Sequence, residues 1–141
     1  MYDTLIQTPD AALCHLFLHC CFEDGQFTEE EIDNVSGKFV ALGLHKDLNF
    51  KKELSEYRSY KPAIQNEEAY LQYLIKLINP TNDAALYSYC LELALSDDAL
   101  DISEKKLFER IGSILQLDEQ EQNTIQKLMV QRKVVETNKF F

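Results

Sequence analysis

Asp10-Ala11-Ala12-Leu13 recurs 73 residues further on as Asp83-Ala84-Ala85-Leu86. At the same separation Leu18 meets Leu91 and Asp24 meets Asp97. A match of this kind is the mark of an internal repeat, and a repeat decides the architecture before any single helix is assigned. Beyond the acidic stretch the best match moves to a separation of 75. Phe27-Thr28-Glu29 then pairs with Ile102-Ser103-Glu104, Gly37 with Gly112 and Leu42 with Leu117. This reading implies a two-residue insertion in the second copy. It places repeat one at about 9–44 and repeat two at about 82–117 of a single domain spanning 1–141.

Each copy begins with a helix that is apolar nearly all round. The first carries Leu13, Leu16, Phe17, Leu18, Cys20 and Cys21; its counterpart carries Leu86, Leu91, Leu93 and Leu95. A helix without a polar face belongs inside a bundle. The expected fold is therefore all-α, with about seven helices in two pseudo-symmetric helix–acidic loop–helix repeats around two central apolar helices. The chain has only 4 Gly and 3 Pro, too few turn formers for a many-stranded sheet.

Start and stop signals place the remaining helices. Thr8-Pro9 opens the first, which runs to about Phe22. Asp24-Gly25 is a turn, and Thr28 with Glu31 forms a capping box for the second. Gly43 is placed to end that helix. Asp47 is a cap for a third helix and Asn66 for a fourth, closed by Asn79-Pro80. A fifth spans about Asp83 to Ser96. Ser103 caps a sixth, with Lys106 standing where the capping-box acid would be, and Asp118 with Glu121 opens the last. The mid-helix pair Gly37 and Gly112 suggests a close helix crossing in each copy.

The chain carries 24 Asp and Glu against 14 Lys and Arg, a formal net charge of −10. Such a surface repels nucleic-acid backbones and anionic bilayers, and suits cations or a basic protein face. Apolar runs are too short to span a bilayer and no basic leader precedes them, so a cytoplasmic location is expected. The four cysteines, Cys14, Cys20, Cys21 and Cys90, make no zinc spacing.

Two groups of residues carry candidate chemistry. Asp24, Thr28 and Glu31 in the first acidic loop, and Asp97, Asp98 and Asp101 in the second, could offer oxygens to a divalent cation. A turn followed by a capping box accounts for the first set without a metal. His15 and His19, at i and i+4, share a helix face as metal-binding pairs do, but core histidines with hydrogen-bond partners have the same spacing. No nucleophile elbow, phosphate loop or dinucleotide fingerprint occurs. The tyrosines Tyr57, Tyr60, Tyr70, Tyr73, Tyr87 and Tyr89 are expected in the core or at its rim.

The run Cys21-Phe22-Glu23-Asp24-Gly25-Gln26-Phe27-Thr28-Glu29-Glu30-Glu31, with its helix ending at Leu42-Gly43-Leu44, resembles the tellurite-resistance TerB-like family. Ala94-Leu95-Ser96-Asp97 through Ser103-Glu104 to Leu117 resembles that family's second half. The resemblance implies an all-α fold with internal pseudo-symmetry and no catalysis. It also implies an acidic surface for metal-ion or partner binding in stress responses, at Asp24, Thr28 and Glu31 and at Asp97, Ser103 and Glu104. The expected function is a non-enzymatic module that takes a divalent cation or a protein partner through its acidic loops. The alternative is an adaptor that associates with a partner, or with itself as a homodimer, and holds no metal.

Overall fold

The computed structural model describes residues 1–22, 27–95 and 100–141. The described residues form eight α-helices and no strand. They are α1 (Tyr2–Leu5), α2 (Pro9–Cys21), α3 (Glu29–Ala41), α4 (Phe50–Tyr60), α5 (Glu67–Ile78), α6 (Asp83–Ala94), α7 (Ile102–Ile114) and α8 (Glu119–Asn138). Short 3₁₀ turns at Leu44–Lys46 and Lys61–Ala63 link α3 to α4 and α4 to α5. None of these helices is long and apolar enough to cross a membrane. The chain divides into two compact units, Met1–Pro80 and Thr81–Phe141.

In the first unit α2 packs against α5, α4 and α3. Thr8 starts α2 by accepting a hydrogen bond from the Ala11 amide at 3.1 Å, and Pro9 occupies the first turn, where its missing N–H costs nothing. Ten of the thirteen α2 residues are buried, among them Leu16, Phe17 and Leu18. Tyr57 and Tyr60 of α4, with Tyr70, Leu71 and Leu74 of α5, complete the core around it. Each fully buried Leu or Phe contributes about 1.5–3 kcal/mol by leaving water. Asn66 caps α5, and Asn79 ends it in the left-handed region at φ 49° ahead of Pro80. Gly43, at φ 76°, follows α3 in the same backbone region. In the second unit α6 packs against α8 and α7, burying Leu86, Tyr87, Cys90 and Leu91.

Several helix boundaries depart from the sequence expectation. Asn49, not Asp47, caps α4; the 3₁₀ turn at 44–46 occupies the chain through Asp47, so the helix begins after it. The cap of α7 is Asp101, not Ser103, and Glu104 closes a complete capping box with it. Ser103 lies inside the first turn, so Lys106 does not mark a lost cap acid. The capping residues Thr28 and Asp101 stand 73 residues apart, as do the bounds of α3 and α7. No two-residue insertion is needed between the two segments.

The paired-glycine expectation also changes. Gly37 is exposed, with open space where a side chain would extend, so no crossing occurs there. Gly112 is buried on α7 against the side-chain amide of Gln122 on α8, whose Nε2 donates to the Leu117 carbonyl at 2.8 Å. At the separation of 73 set by the caps, Gly37 falls opposite Arg110.

Candidate functional site

Polar atoms on a buried helix must find partners, because an unpaired donor or acceptor away from water costs about 1–3 kcal/mol. His15 and His19 on α2 meet this condition with side chains from α4 and α5. His15 is fully buried and His19 is 4 % exposed. His15 Nδ1 lies 2.6 Å from the Tyr60 hydroxyl, and its Nε2 lies 3.0 Å from Glu53 Oε1. One turn along, His19 Nδ1 lies 2.8 Å from the Tyr57 hydroxyl and its Nε2 lies 3.0 Å from Glu67 Oε2. Tyr60 is also hydrogen-bonded to Tyr70.

With both imidazoles neutral, the protons of each set run in one direction. Tyr70 donates to Tyr60, Tyr60 to His15, and His15 to Glu53; Tyr57 donates to His19, and His19 to Glu67. Among the described residues no buried side-chain nitrogen or oxygen lacks a partner. The order carboxylate, imidazole, hydroxyl is that of a hydrolase triad. Here, however, the hydroxyl is a phenol out of reach of solvent. Burial pushes Tyr57, Tyr60 and Tyr70 all above the ordinary phenol range, which holds them protonated. The histidines are thus core residues with hydrogen-bond partners.

Glu53 is 5 % exposed, and Glu56 stands one turn along α4 at the edge of the same cluster. A nitrogen of His15 and carboxylate oxygens of Glu53 and Glu56 all lie within 4.8 Å of one another. Lys52 reaches Glu56 from the solvent side at 3.9 Å. The four cysteines are buried thiols outside any disulfide. Burial, with the charge of Glu53 beside it, pushes the Cys14 thiol well above its ordinary value and keeps it from acting as a thiolate.

Three of the six acidic-loop candidates lie in the described structure, and all three act as helix caps. Thr28 Oγ1 accepts from the Glu31 amide at 3.1 Å, while the Thr28 amide donates to Glu31 Oε1 at 2.8 Å. Asp101 Oδ1 accepts from the Glu104 amide at 2.8 Å, and the Asp101 amide donates to Glu104 Oε1 at 2.9 Å. Asp24, Asp97 and Asp98 lie outside the described residues.

Glu53, Glu67, Tyr57, Tyr60 and Tyr70 did not stand out in the sequence as partners of the histidine pair. The available signal was the repeat of polar side chains on α4: Glu53, Glu56, Tyr57 and Tyr60 recur at three- and four-residue steps, which brings them to one face.

A family model described as "Tellurite resistance protein TerB" matches residues 10–127 of this chain. No curated protein and no solved structure gives a match.

Proposed function

The chain belongs to the family of the tellurite resistance protein TerB, and from that premise we propose that it is a non-enzymatic binding module that takes a divalent cation at its acidic inter-helix segments. The observation that carries this reading is the pair of capping boxes. Each acidic stretch runs directly into one, Thr28 with Glu31 and Asp101 with Glu104, so its far end is tied to the first turn of a helix. A loop anchored in this way loses less entropy on gathering ligands than a free one. Since the caps already use Thr28, Glu31 and Asp101, the ligating charge would fall to Asp24 in the first segment and, separately, to Asp97 and Asp98 in the second, each helped by backbone carbonyls of its own segment.

The test is a thermal melt with and without millimolar Ca²⁺, Mg²⁺ and Mn²⁺, repeated on the Asp24→Asn, Asp97→Asn double variant. A cation bound only by the folded state adds about 2.7 kcal/mol at a hundredfold excess over its dissociation constant. A rise in Tm for one ion, lost in the variant, supports the reading; no rise for any of them ends it.

A second reading, self-association as an adaptor, is favoured by the end of α8. Leu128, Phe140 and Phe141 are exposed there and line an open groove beside Arg132. Lys127, Arg132, Lys133 and Lys139 make this end basic in a chain of net charge −10, so the acidic surface of a second copy is the matching partner. Sedimentation of the protein against Phe140→Asp distinguishes a dimer through this face from a monomer.

A further inference from the structure

We propose that His15, Glu53 and Glu56 form a site for one Zn²⁺-type divalent ion, separate from the acidic segments and of different metal preference. One nitrogen of His15 and one oxygen each of Glu53 and Glu56 lie within 4.8 Å of one another, with His15 and Glu53 buried and Glu56 at the rim. Lys52 approaches only Glu56, at 3.9 Å, from a largely solvent-exposed position, and leaves the inner side of the cluster open to a cation.

The ligand chemistry favours a borderline ion. An imidazole nitrogen with two carboxylate oxygens suits Zn²⁺ better than Ca²⁺ or Mg²⁺, which take all-oxygen sets. Ligand atoms around tetrahedral Zn²⁺ stand about 3.4 Å apart, from bond lengths of about 2.1 Å. The His15–Glu53 separation of 3.0 Å, a hydrogen bond, is shorter than this, so the pair would open slightly to admit the ion. Glu56, half-buried at the outer edge of the cluster, closes the rest by a side-chain rotation and leaves a fourth position for water.

Tyr60 supports the same assignment from the other side of the ring. A metal-binding histidine usually donates its second N–H to a neighbour that sets the tautomer. Tyr60 Oη lies 2.6 Å from Nδ1 and is placed to accept that proton. With an ion bound, the single imidazole proton would sit on Nδ1 instead of Nε2 and be donated to Tyr60 Oη, the Tyr60 hydroxyl would turn to donate to Tyr70, and Nε2 would offer its lone pair to the metal. The proton count of the ring is unchanged, and the aromatic core keeps the ring orientation it already has.

The experiment is a titration of the full-length protein with Zn²⁺ by calorimetry and with Co²⁺ by visible absorption. It covers wild type, Glu56→Gln, His15→Asn and the Asp24→Asn, Asp97→Asn double variant. One equivalent of each metal should bind wild type and the double variant alike, with Co²⁺ absorbing as a nitrogen- and oxygen-bound tetrahedral ion. Glu56→Gln, at a partly exposed position outside the buried network, should weaken binding by more than tenfold while the melting curve without metal stays in place. Failure to bind either metal, affinity unchanged in Glu56→Gln, or a sulfur-to-cobalt charge-transfer band pointing to the cysteines would each overturn the proposal. Loss of binding in the Asp24, Asp97 variant would overturn it too, by moving the metal to the acidic segments.

Discussion

His15 and His19, one turn apart on α2, are each held between a tyrosine hydroxyl and a glutamate carboxylate. The two sets are built alike but not equally connected, because Tyr60 bonds to both His15 and Tyr70 whereas Tyr57 bonds to His19. Tyr60→Phe would strand two buried polar groups and Tyr57→Phe one. At about 1–3 kcal/mol for each stranded group, Tyr60→Phe should destabilise the protein about twice as much as Tyr57→Phe. Urea unfolding measures this as a lower midpoint at constant slope. Equal effects, or a larger one for Tyr57→Phe, would contradict the connectivity.

The two capping boxes predict a contrast within α7. Asp101→Ala and Thr28→Ala should each cost about 1 kcal/mol, the usual worth of an N-cap side chain. Ser103→Ala, at an exposed place inside the first turn, should stay within about 0.5 kcal/mol of wild type. Should Ser103→Ala prove the more damaging of the two α7 substitutions, the helix would start two residues later than described.

Gly37 sits in the middle of α3, exposed, with nothing within reach of an added methyl group. Gly37→Ala should therefore raise stability by up to about 1 kcal/mol, the difference in helix propensity. A drop in Tm would reveal a close contact at this position.

Alkaline pH offers a further check. Burial raises the phenols of Tyr57, Tyr70 and Tyr87 above their ordinary value, whereas in the unfolded chain they ionise near pH 10. The native state then holds protons that the unfolded state releases, so the stability present below about pH 10 declines as pH rises beyond it. In an alkaline titration, near-ultraviolet phenolate absorbance from these three should appear together with the loss of helical circular dichroism. Replacing any one with Phe should remove amplitude from that step. Ionisation near pH 10 with the helices intact would show that the phenols are open to solvent.

Much of the fold could be read from local chemistry. Thr8, Thr28, Asn66 and Asp118 each cap the helix expected of them, because a side-chain oxygen followed by an amide two or three residues on is a short-range signal. Where two candidates stood close together the reading failed. Asp101 and Ser103 can both cap, and only the glutamate three residues later decides between them; Glu104 selects Asp101. The same holds for Asp47 and Asn49, where a 3₁₀ turn takes up the first. The histidine network was less legible for a different reason. Its partners lie 38 to 48 residues away on other helices, and one sequence records that a buried histidine needs a partner without recording which residue supplies it.

The histidine pair has a consequence for α2 as a whole. Apolar side chains surround this helix, so hydrophobic burial alone would be nearly as well satisfied if it were turned about its own axis. The two imidazoles remove that degeneracy. Rotating the helix by a fraction of a turn would carry both rings away from Glu53, Tyr60, Tyr57 and Glu67 at once, so that the two imidazoles, Glu53 and Tyr57 would lose these partners inside the core. His15 and His19 thus act as keys for azimuth, and replacing both with leucine would give a helix that still packs but has lost its bearing.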